Sequence, residues 1–546
     1  MIAASFRTLH LDGKTRCDCP IKAFKLNGIL RAPRDSVTKQ YGSGHASKGA
    51  MSRLHSRKRS VLRPAAQTEL SESQEEPGNG STRGKVVIVG AGPAGALAAI
   101  YLAKQRYDVE VYEQRALPDP VNRNLDRSYH LAMSHRGMGA VEKVGVDMSR
   151  FREFPYRGSL LQSQNGTIQE VFHTPMSAKV LVERMELVRH LVDEAQRLAP
   201  DRITFRWSHP CQAVDISGRT VTFGQNGSSV KVDFDLLIGA DGVNSRVRDE
   251  VSKQIAGFRQ EWFGRMHRID KFFHRVKPPP GAEMSTHKGE LDTTATVLRF
   301  YYIDSPPPLS VGLFFIHNHS DGTYSGGISY TRADYTEEGS GGVFKTADDF
   351  GRAMSGLTMY PEEMRRDIAQ HFMERPWYTS GSTLQVSRLT APRVVLLGDA
   401  AHAVSAAFGQ GVNSALEDCA VLGDIVAQEP DSIDAALERY ERQRKPDVHA
   451  LGTMDHQAEA FAGFRGKLNL SYWIFQTHLL IHGWLHRAFP GSFADPNLVP
   501  MMTIQRSSYS AIYGRIKRPF FVLLISALVA ALAVASRLAR SMLMRA

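Results

Sequence analysis

Cysteine is scarce, with four in 546 residues. Too few are present for a disulfide framework in a chain of this length, and a reducing interior is expected. Cys17 and Cys19 stand one residue apart while Cys211 and Cys419 are single, so no zinc-ligand spacing exists and no metal centre is expected. Acids are almost missing from the first 65 positions, which hold 14 of the 67 Lys and Arg but only 3 of the 56 Asp and Glu. That leaves 53 of each sign elsewhere, so the net charge of +11 belongs to the N-terminal arm. A neutral body argues against nucleic acid as a partner. The arm also lacks an apolar h-region, which excludes a secretory signal; its Arg, Lys, Ser and Ala resemble an organelle transit peptide. Glu69 to Gly84 then reads as a flexible polar linker.

Long apolar runs are equally rare. Pro519 to Ser536 has no charged residue, and at about 1.5 Å per residue it spans about 27 Å, the short end for a membrane helix. Arg515, Lys517 and Arg518 precede it and Arg537, Arg540 and Arg545 follow, which suits anchors at both faces and leaves the orientation open.

What is present is organised around Lys85 to Arg115. Val86 to Val89 is a β-branched run of the kind buried in a parallel sheet, and Gly90, Gly92 and Gly95 follow at G-x-G-x-x-G spacing. The first glycine allows the tight turn, the second lets backbone approach a pyrophosphate, and the third lets helix pack on strand. Ala96 to Ala103 continues as that helix and Val109 to Tyr112 as a second strand. Glu113 ends the strand where a carboxylate would take ribose hydroxyls, which favours an unphosphorylated ribose, FAD or NAD rather than NADP.

Further along, Val180 to Leu198 has helical spacing with Arg184 in its first turns, and Ile203 to Phe223 alternates as strands do. Asp235 to Arg248 reads as a strand running into Gly239, Asp241, Gly242 and a helix. From about Phe258 to Ser387, short alternating segments such as Thr294 to Ile303 and Ser310 to His317 predict a mainly antiparallel sheet forming a second domain. In Arg393 to Ile425 a buried strand ends at Gly398 and Asp399, and Gly409, Gln410 and Gly411 lead into a helix from about Val412. An aspartate there can hold a polyol, and a helix N-terminus can stabilise an anion. Ala435 to about Ile512 is helical in pattern.

Three motifs in this order, GAGPAG with Glu113, GADGVNSRVR, and LLGDAAHAVSAAFGQGVN, resemble the fingerprints of the single-component FAD-dependent aromatic hydroxylases. Within that family the likeness is to the kynurenine hydroxylases. It is carried by Arg127 to Gly137, Phe408 to Cys419, Asn469 to Gln476 and a helical C-terminus ending in an apolar run, and it covers roughly Lys85 to Arg537. The fold this implies is α/β, with a Rossmann-like FAD-binding domain assembled from separated segments. A mainly antiparallel substrate sheet, a C-terminal helical region and a C-terminal membrane helix complete it. The implied division is 1–84 transit peptide and linker; 85–153, 180–257 and 388–434 for FAD; 154–179 and 258–387 for the substrate domain; 435–518 helical; and 519–537 anchor.

The implied activity is NADPH-dependent hydroxylation of a small ring-bearing substrate by dioxygen through a flavin hydroperoxide. Two alternatives stand beside it: kynurenine 3-hydroxylation itself, and a membrane-tethered FAD-binding redox module. By the resemblance Gly90, Gly92 and Gly95 cradle the FAD pyrophosphate, Glu113 holds the ribose, and Arg115 and Arg184 contact the adenosine and phosphate end. Asp241 serves FAD and NADPH, Asp399 holds the ribityl chain, and Gly409, Gly411, Val412 and Asn413 form the turn at the flavin edge. His402 reads as a packing and hydrogen-bonding residue of its turn rather than an acid or base. Ser159 and His173 fall where these hydroxylases carry an Arg and a Tyr for the substrate carboxylate, with Arg157 as a substitute cation on the same strand face. Ala460 and Met502 fall on two further substrate positions that are polar in the family, and Ala406 stands where a proline is usual. The expected location is an organelle membrane, mitochondrial or plastid.

Overall fold

The computed structural model describes residues 82–117, 129–152, 156–163, 168–172, 180–225, 227–263, 268–280, 296–304, 310–318, 322–331, 346–357, 360–374, 378–380, 382–405, 408–462, 484–485, 487, 507–515 and 536. The strand Lys85–Val89 is central to a six-stranded sheet in the order Thr390–Ala391, Val394–Leu396, Leu236–Gly239, Lys85–Val89, Asp108–Tyr112, Ile203–Arg206. All neighbours run parallel except the first pair. Val86, Val87 and Ile88 are fully buried, as a strand covered on both faces requires, which is why the run is continuously apolar. The helix Pro93–Lys104 packs on that sheet and is buried on nearly every side. Its Ala-rich sequence lets the Gly411–Gln428 and Arg184–Leu198 helices lie against it.

A seven-stranded sheet forms the second layer, ordered Tyr378–Ser380, Arg268–Val276, Thr323–Thr331, Ser310–Asn318, Thr296–Asp304, Tyr156–Ser163, Ile168–Phe172. It is antiparallel except where Thr296–Asp304 runs parallel to Tyr156–Ser163. One face is closed by the helices Ala347–Ala353 and Glu362–Glu374, whose Phe350, Met364, Ile368 and Phe372 bury against Phe273 and Ile328. The mainly antiparallel character is thus as expected, but the region also carries these two helices.

Two local expectations are corrected. Val180–Glu183 is not the start of a helix but a strand paired antiparallel with His130–Met133; Val180, Leu181 and Val182 favour extended backbone, and the helix begins only at Arg184. The pattern from Ile203 to Phe223 divides between two sheets, with Cys211–Asp215 and Thr220–Gln225 joining Ser228–Asp233 in a separate three-stranded sheet. The helix Ile433–Ala462 opens the C-terminal region, and Tyr509 and Ile512 pack on its Ala450, Leu451 and Met454. Among the described residues no helix is long and apolar enough to cross a membrane; the run 519–535 and the arm 1–81 lie outside them.

Candidate functional site

The glycine turn has the geometry its spacing asks for. Gly90 takes φ +102°, and a Cβ there would lie 2.5 Å from the Ala240 carbonyl oxygen, while a Cβ on Gly95 would stand on the Gly90 carbonyl oxygen. Gly92, the N-cap of the Pro93–Lys104 helix, is different. The nearest atom to a Cβ there is Nη2 of Arg184 at 4.0 Å, so the backbone faces open space with a guanidinium across it. Arg184 forms no ion pair among the described residues, and its Nη1 lies 3.7 Å from the Met185 sulfur. A free cation facing a helix N-terminus is an anion site. Glu113 accepts from the Ala91 and Arg115 amides, both at 3.0 Å, and lies 3.6 Å from the Arg115 guanidinium. Each carboxylate oxygen keeps a lone pair for a ribose hydroxyl.

Asp399 opens a four-residue helical turn after Gly398, whose φ of +57° suits glycine. Its carboxylate is exposed and accepts no hydrogen bond among the described residues. It nonetheless lies in a cleft with Arg184 and Tyr129 close by. Desolvation raises its pKa, against the lowering effect of His402 and Arg184. Tyr129 shares the cleft, stacked on Phe272 of the large sheet with ring centroids 5.9 Å apart; desolvation raises its pKa, and Arg184 and Asp399 both act on it. The sequence alone did not single out Tyr129, although it lies within a quoted motif.

Asp241 is engaged with its own loop. Its carboxylate accepts from Ser245 Oγ at 2.5 Å and from the Arg246 and Val247 amides at 2.6 and 3.1 Å, capping the Arg246–Gln254 helix. Burial raises its pKa despite these bonds. The buried Arg248 ties this loop to the Asp399 turn by donating to the Ala400 and Val243 carbonyls.

The third motif is held from beneath. Gly409 has φ +60°, Gln410 caps the Gly411–Gln428 helix, and the amides of Gly411, Val412 and Asn413 precede the first intrahelical bond, from Ser414. The Asn413 side chain does not enter the cleft. It accepts from the Ser134 amide at 2.8 Å and donates to the Ala132 and Gly409 carbonyls at 2.9 Å, riveting the turn to the His130–Met133 strand. His402 is buried, its Nε2 2.6 Å from Asp418, which also accepts from the Gly398 amide and from Arg444 Nε. Burial alone raises Asp418, but His402 and Arg444 bring it below the usual carboxylate range. Arg136, Glu417 and Asp418 lie within two of the motifs and Arg444 in none, and only the fold brings the four together.

The substrate positions are less fully described. Ser159 lies on Tyr156–Ser163 opposite Val171 and Leu298. Arg157 falls at the register shift between Tyr156 and Gly158 against Thr296–Asp304, so the alternation of faces that linked it to Ser159 cannot be carried through it. Ala460 lies near the end of the Ile433–Ala462 helix, and His173, Met502 and Ala406 are outside the described residues.

A guanidinium in no ion pair at one helix N-terminus, an aspartate accepting no hydrogen bond and amides ahead of the first intrahelical bond at a second helix N-terminus, all among the described residues, fit an extended dinucleotide with a polyol link. A family model described as FAD binding domain matches residues 83–279 and 360–454, more than half of the chain. The chain belongs to the FAD-dependent aromatic hydroxylases. It is a FAD-dependent monooxygenase. The kynurenine 3-monooxygenase of Salinispora arenicola is 30% identical over 389 residues, covering 68% of this chain and 78% of that protein. The one from Phaeosphaeria nodorum is 27% identical over 397 residues, covering 68% and 76%. Among solved structures, 2-methyl-3-hydroxypyridine-5-carboxylic acid oxygenase superposes with TM-score 0.53 at 20% identity over 72% of this chain and 95% of that one. Klebsiella pneumoniae HpxO, complexed with FAD and uric acid, gives 0.53 at 22% over 72% and 92%. At such identities the superpositions establish the fold of this hydroxylase family.

Proposed function

We propose that this hydroxylase uses NADPH to hydroxylate a small ring-bearing substrate less anionic than kynurenine. The reading is supported by the resemblance, which lays Ser159, on the strand Tyr156–Ser163, where the kynurenine hydroxylases carry a carboxylate-binding Arg, and His173 where they carry a Tyr. Each charge-assisted hydrogen bond to a closed-in carboxylate is worth about 1.5–3 kcal/mol, so their loss disfavours that substrate. In this reading Gly90, Gly92, Gly95 and Arg184 take the FAD pyrophosphate, and Glu113 and Arg115 the adenosine end. Asp399 takes the ribityl hydroxyls, and the amides of Gly411, Val412 and Asn413, after the Gly409 turn, take the flavin edge. Asp241 shapes the loop that serves FAD and NADPH. Arg157, Ser159, His173, Ala460 and Met502 line the substrate side.

FAD, when bound, supplies the redox and oxygen chemistry. The protein's share is positional. The N-terminus of the Gly411–Gln428 helix directs positive potential at negative charge on the flavin, and the seven-stranded sheet shields the reacting centre from water. The proposed division into segments 85–153, 180–257 and 388–434 for FAD is supported by the central sheet, whose strands come from those three pieces.

Kynurenine binding and kynurenine-stimulated NADPH oxidation test the reading. Both are expected to be weak, and Ser159→Arg with His173→Tyr is expected to tighten kynurenine binding about tenfold or more while an amide analogue gains nothing. A second reading, kynurenine 3-hydroxylation itself, is favoured by the relatives at 27–30% identity. Tight kynurenine binding by the unaltered protein, abolished by Arg157→Ala, would establish it in place of the first. The cellular address is proposed with the activity: cleavage of the arm before about Gly84 and retention by a helix at 519–537 in a mitochondrial or plastid membrane. A chain truncated after Arg518 that still sediments wholly with membranes would refute the anchor, and an intact N-terminus on organelle-isolated protein would refute the transit peptide.

A further inference from the structure

The helical residues 509–515 are far in sequence from all three motifs, yet the first of them touches one. Tyr509 is fully buried, and its hydroxyl donates to Oε1 of Gln410 at 3.0 Å. Gln410 is itself buried and caps the Gly411–Gln428 helix; its Nε2 donates to the Phe408 carbonyl at 3.3 Å, bridging back across Gly409. The Tyr509 ring packs against two guanidinia. Arg136 lies 4.2 Å from its centroid and Arg444 5.9 Å, and Glu417 joins the two guanidinia at 2.7 and 2.8 Å. Arg136 also donates to the Ser507 carbonyl, and Ser510 is anchored to Asp447 through its amide at 3.0 Å. Phe408 packs on the cluster that Tyr509 and Ile512 form with Ala450, Leu451 and Met454.

We propose that Tyr509 is a positioning residue for the flavin-facing turn: through Gln410 it sets the conformation of Phe408 to Asn413, and with it the aim of the free amides of Gly411, Val412 and Asn413. The proposal rests on the reading of that helix end as the flavin site. The physical reason is preorganisation. A turn containing a positive-φ glycine has little conformational preference of its own, and the buried Gln410 amide has its carbonyl oxygen satisfied by Tyr509. Loosening it lets the amides wander, and their preference for negative charge falls before any loss of fold. The C-terminal segment thereby helps determine how strongly the site favours reduced over oxidised FAD.

The test uses FAD-loaded full-length protein and Tyr509→Phe, which deletes the hydroxyl but keeps the ring beside Arg136 and Arg444. Ile512→Val, in the same helix and cluster, is the packing control. In Tyr509→Phe the amides of 408–413 should exchange with deuterated water about fivefold faster, the factor one neutral hydrogen bond is worth. The ratio of affinities for reduced and oxidised FAD, read from the flavin midpoint potential, should fall several-fold. Ile512→Val should lower the thermal midpoint yet move neither reading, and Tyr509→Phe should add nothing in a Gln410→Ala background. Unchanged exchange at 408–413 in Tyr509→Phe, or an equal change in Ile512→Val, overturns the proposal. Faster exchange with an unmoved potential supports the bracing contact and overturns the assignment of that helix end to the flavin.

Discussion

The two helix N-termini proposed to hold the cofactor are built by different means. At the glycine turn, one continuous stretch from Lys85 to Glu113 supplies the strand, the turn, the helix and the acid, and the turn is held by backbone packing: Gly95 on Gly90, Gly90 on Ala240. At the Gly411–Gln428 helix the turn is held by side chains from distant parts of the chain. Ser134 is 279 residues from Asn413, Tyr509 is 99 from Gln410, and Arg444 reaches back to Ser414, Glu417 and Asp418. The first end is a local device that tolerates no side chain. The second is a polar lattice, so its shape depends on groups that never face the cofactor.

The largest effect separating the ends is expected from Arg444→Ala. Arg444 is almost wholly buried, bonded to Asp418 at 2.6 Å and Glu417 at 2.8 Å; burial is the largest single influence and lowers its pKa, but these carboxylates with Tyr440 and Tyr509 together outweigh it and raise the pKa. Removing it takes the guanidinium partner from the buried Asp418 and one of two from the partly exposed Glu417, a change that costs about 3–5 kcal/mol. Denaturant titration should show that loss. A loss below about 1 kcal/mol would mean that the lattice does not hold this end. Conversely, replacing Arg184, which neutralises no protein carboxylate among the described residues, should leave the denaturation midpoint nearly unchanged while FAD is lost.

This contrast also explains what could be read from the sequence. The strand–turn–helix geometry of Gly90, Gly92, Gly95 and Glu113 was legible because it depends on spacing along one stretch, and the place of Asp399 because it ends a strand at a glycine. The seven-stranded sheet was legible as alternation, but the Ala347–Ala353 and Glu362–Glu374 helices that cover it were not anticipated. Val180–Glu183 was misread because its apolar residues continue smoothly into the helical pattern, and only its pairing with His130–Met133 makes it a strand. Arg136, Glu417, Asp418, Arg444 and Tyr509 form one cluster only after folding, and nothing in their spacing announces it. Asn413 was expected for its backbone; its side chain proves to be the rivet between two motifs.

An intermediate effect is expected at the cleft's middle. Asp399 bonds to nothing among the described residues, so Asp399→Ala should leave the fold intact and cost FAD binding about 1.5–3 kcal/mol, one charge-assisted hydrogen bond. Flavin absorbance per protein after gel filtration measures it. Full occupancy in the variant would remove Asp399 from the cofactor site.

The smallest effect is a pH dependence that separates the same two regions. Asp418 has a folded pKa below its unfolded value, chiefly because His402 and Arg444 outweigh burial, so the stability it contributes is complete above the unfolded carboxylate value of about 3.9 and is lost only as pH falls below that, through the lowered folded pKa. Asp399 has the opposite sign. Desolvation raises its folded pKa, so it takes up a proton while pH is still above about 3.9, before the Asp418 lattice is touched. A protonated Asp399 no longer offers a charged acceptor to a polyol, and the exposure of the group to the cleft keeps the change to a few-fold in affinity. On acidification, FAD affinity should therefore weaken in a first step with circular dichroism unchanged, and unfolding should follow in a second. Asp399→Asn should bind FAD less tightly at neutral pH but without the first step, leaving the second in place. Asp418→Asn should keep the first step and lose the steep part of the second. If flavin release and unfolding coincide in the unaltered protein, the two ends are not separable in the way their construction implies.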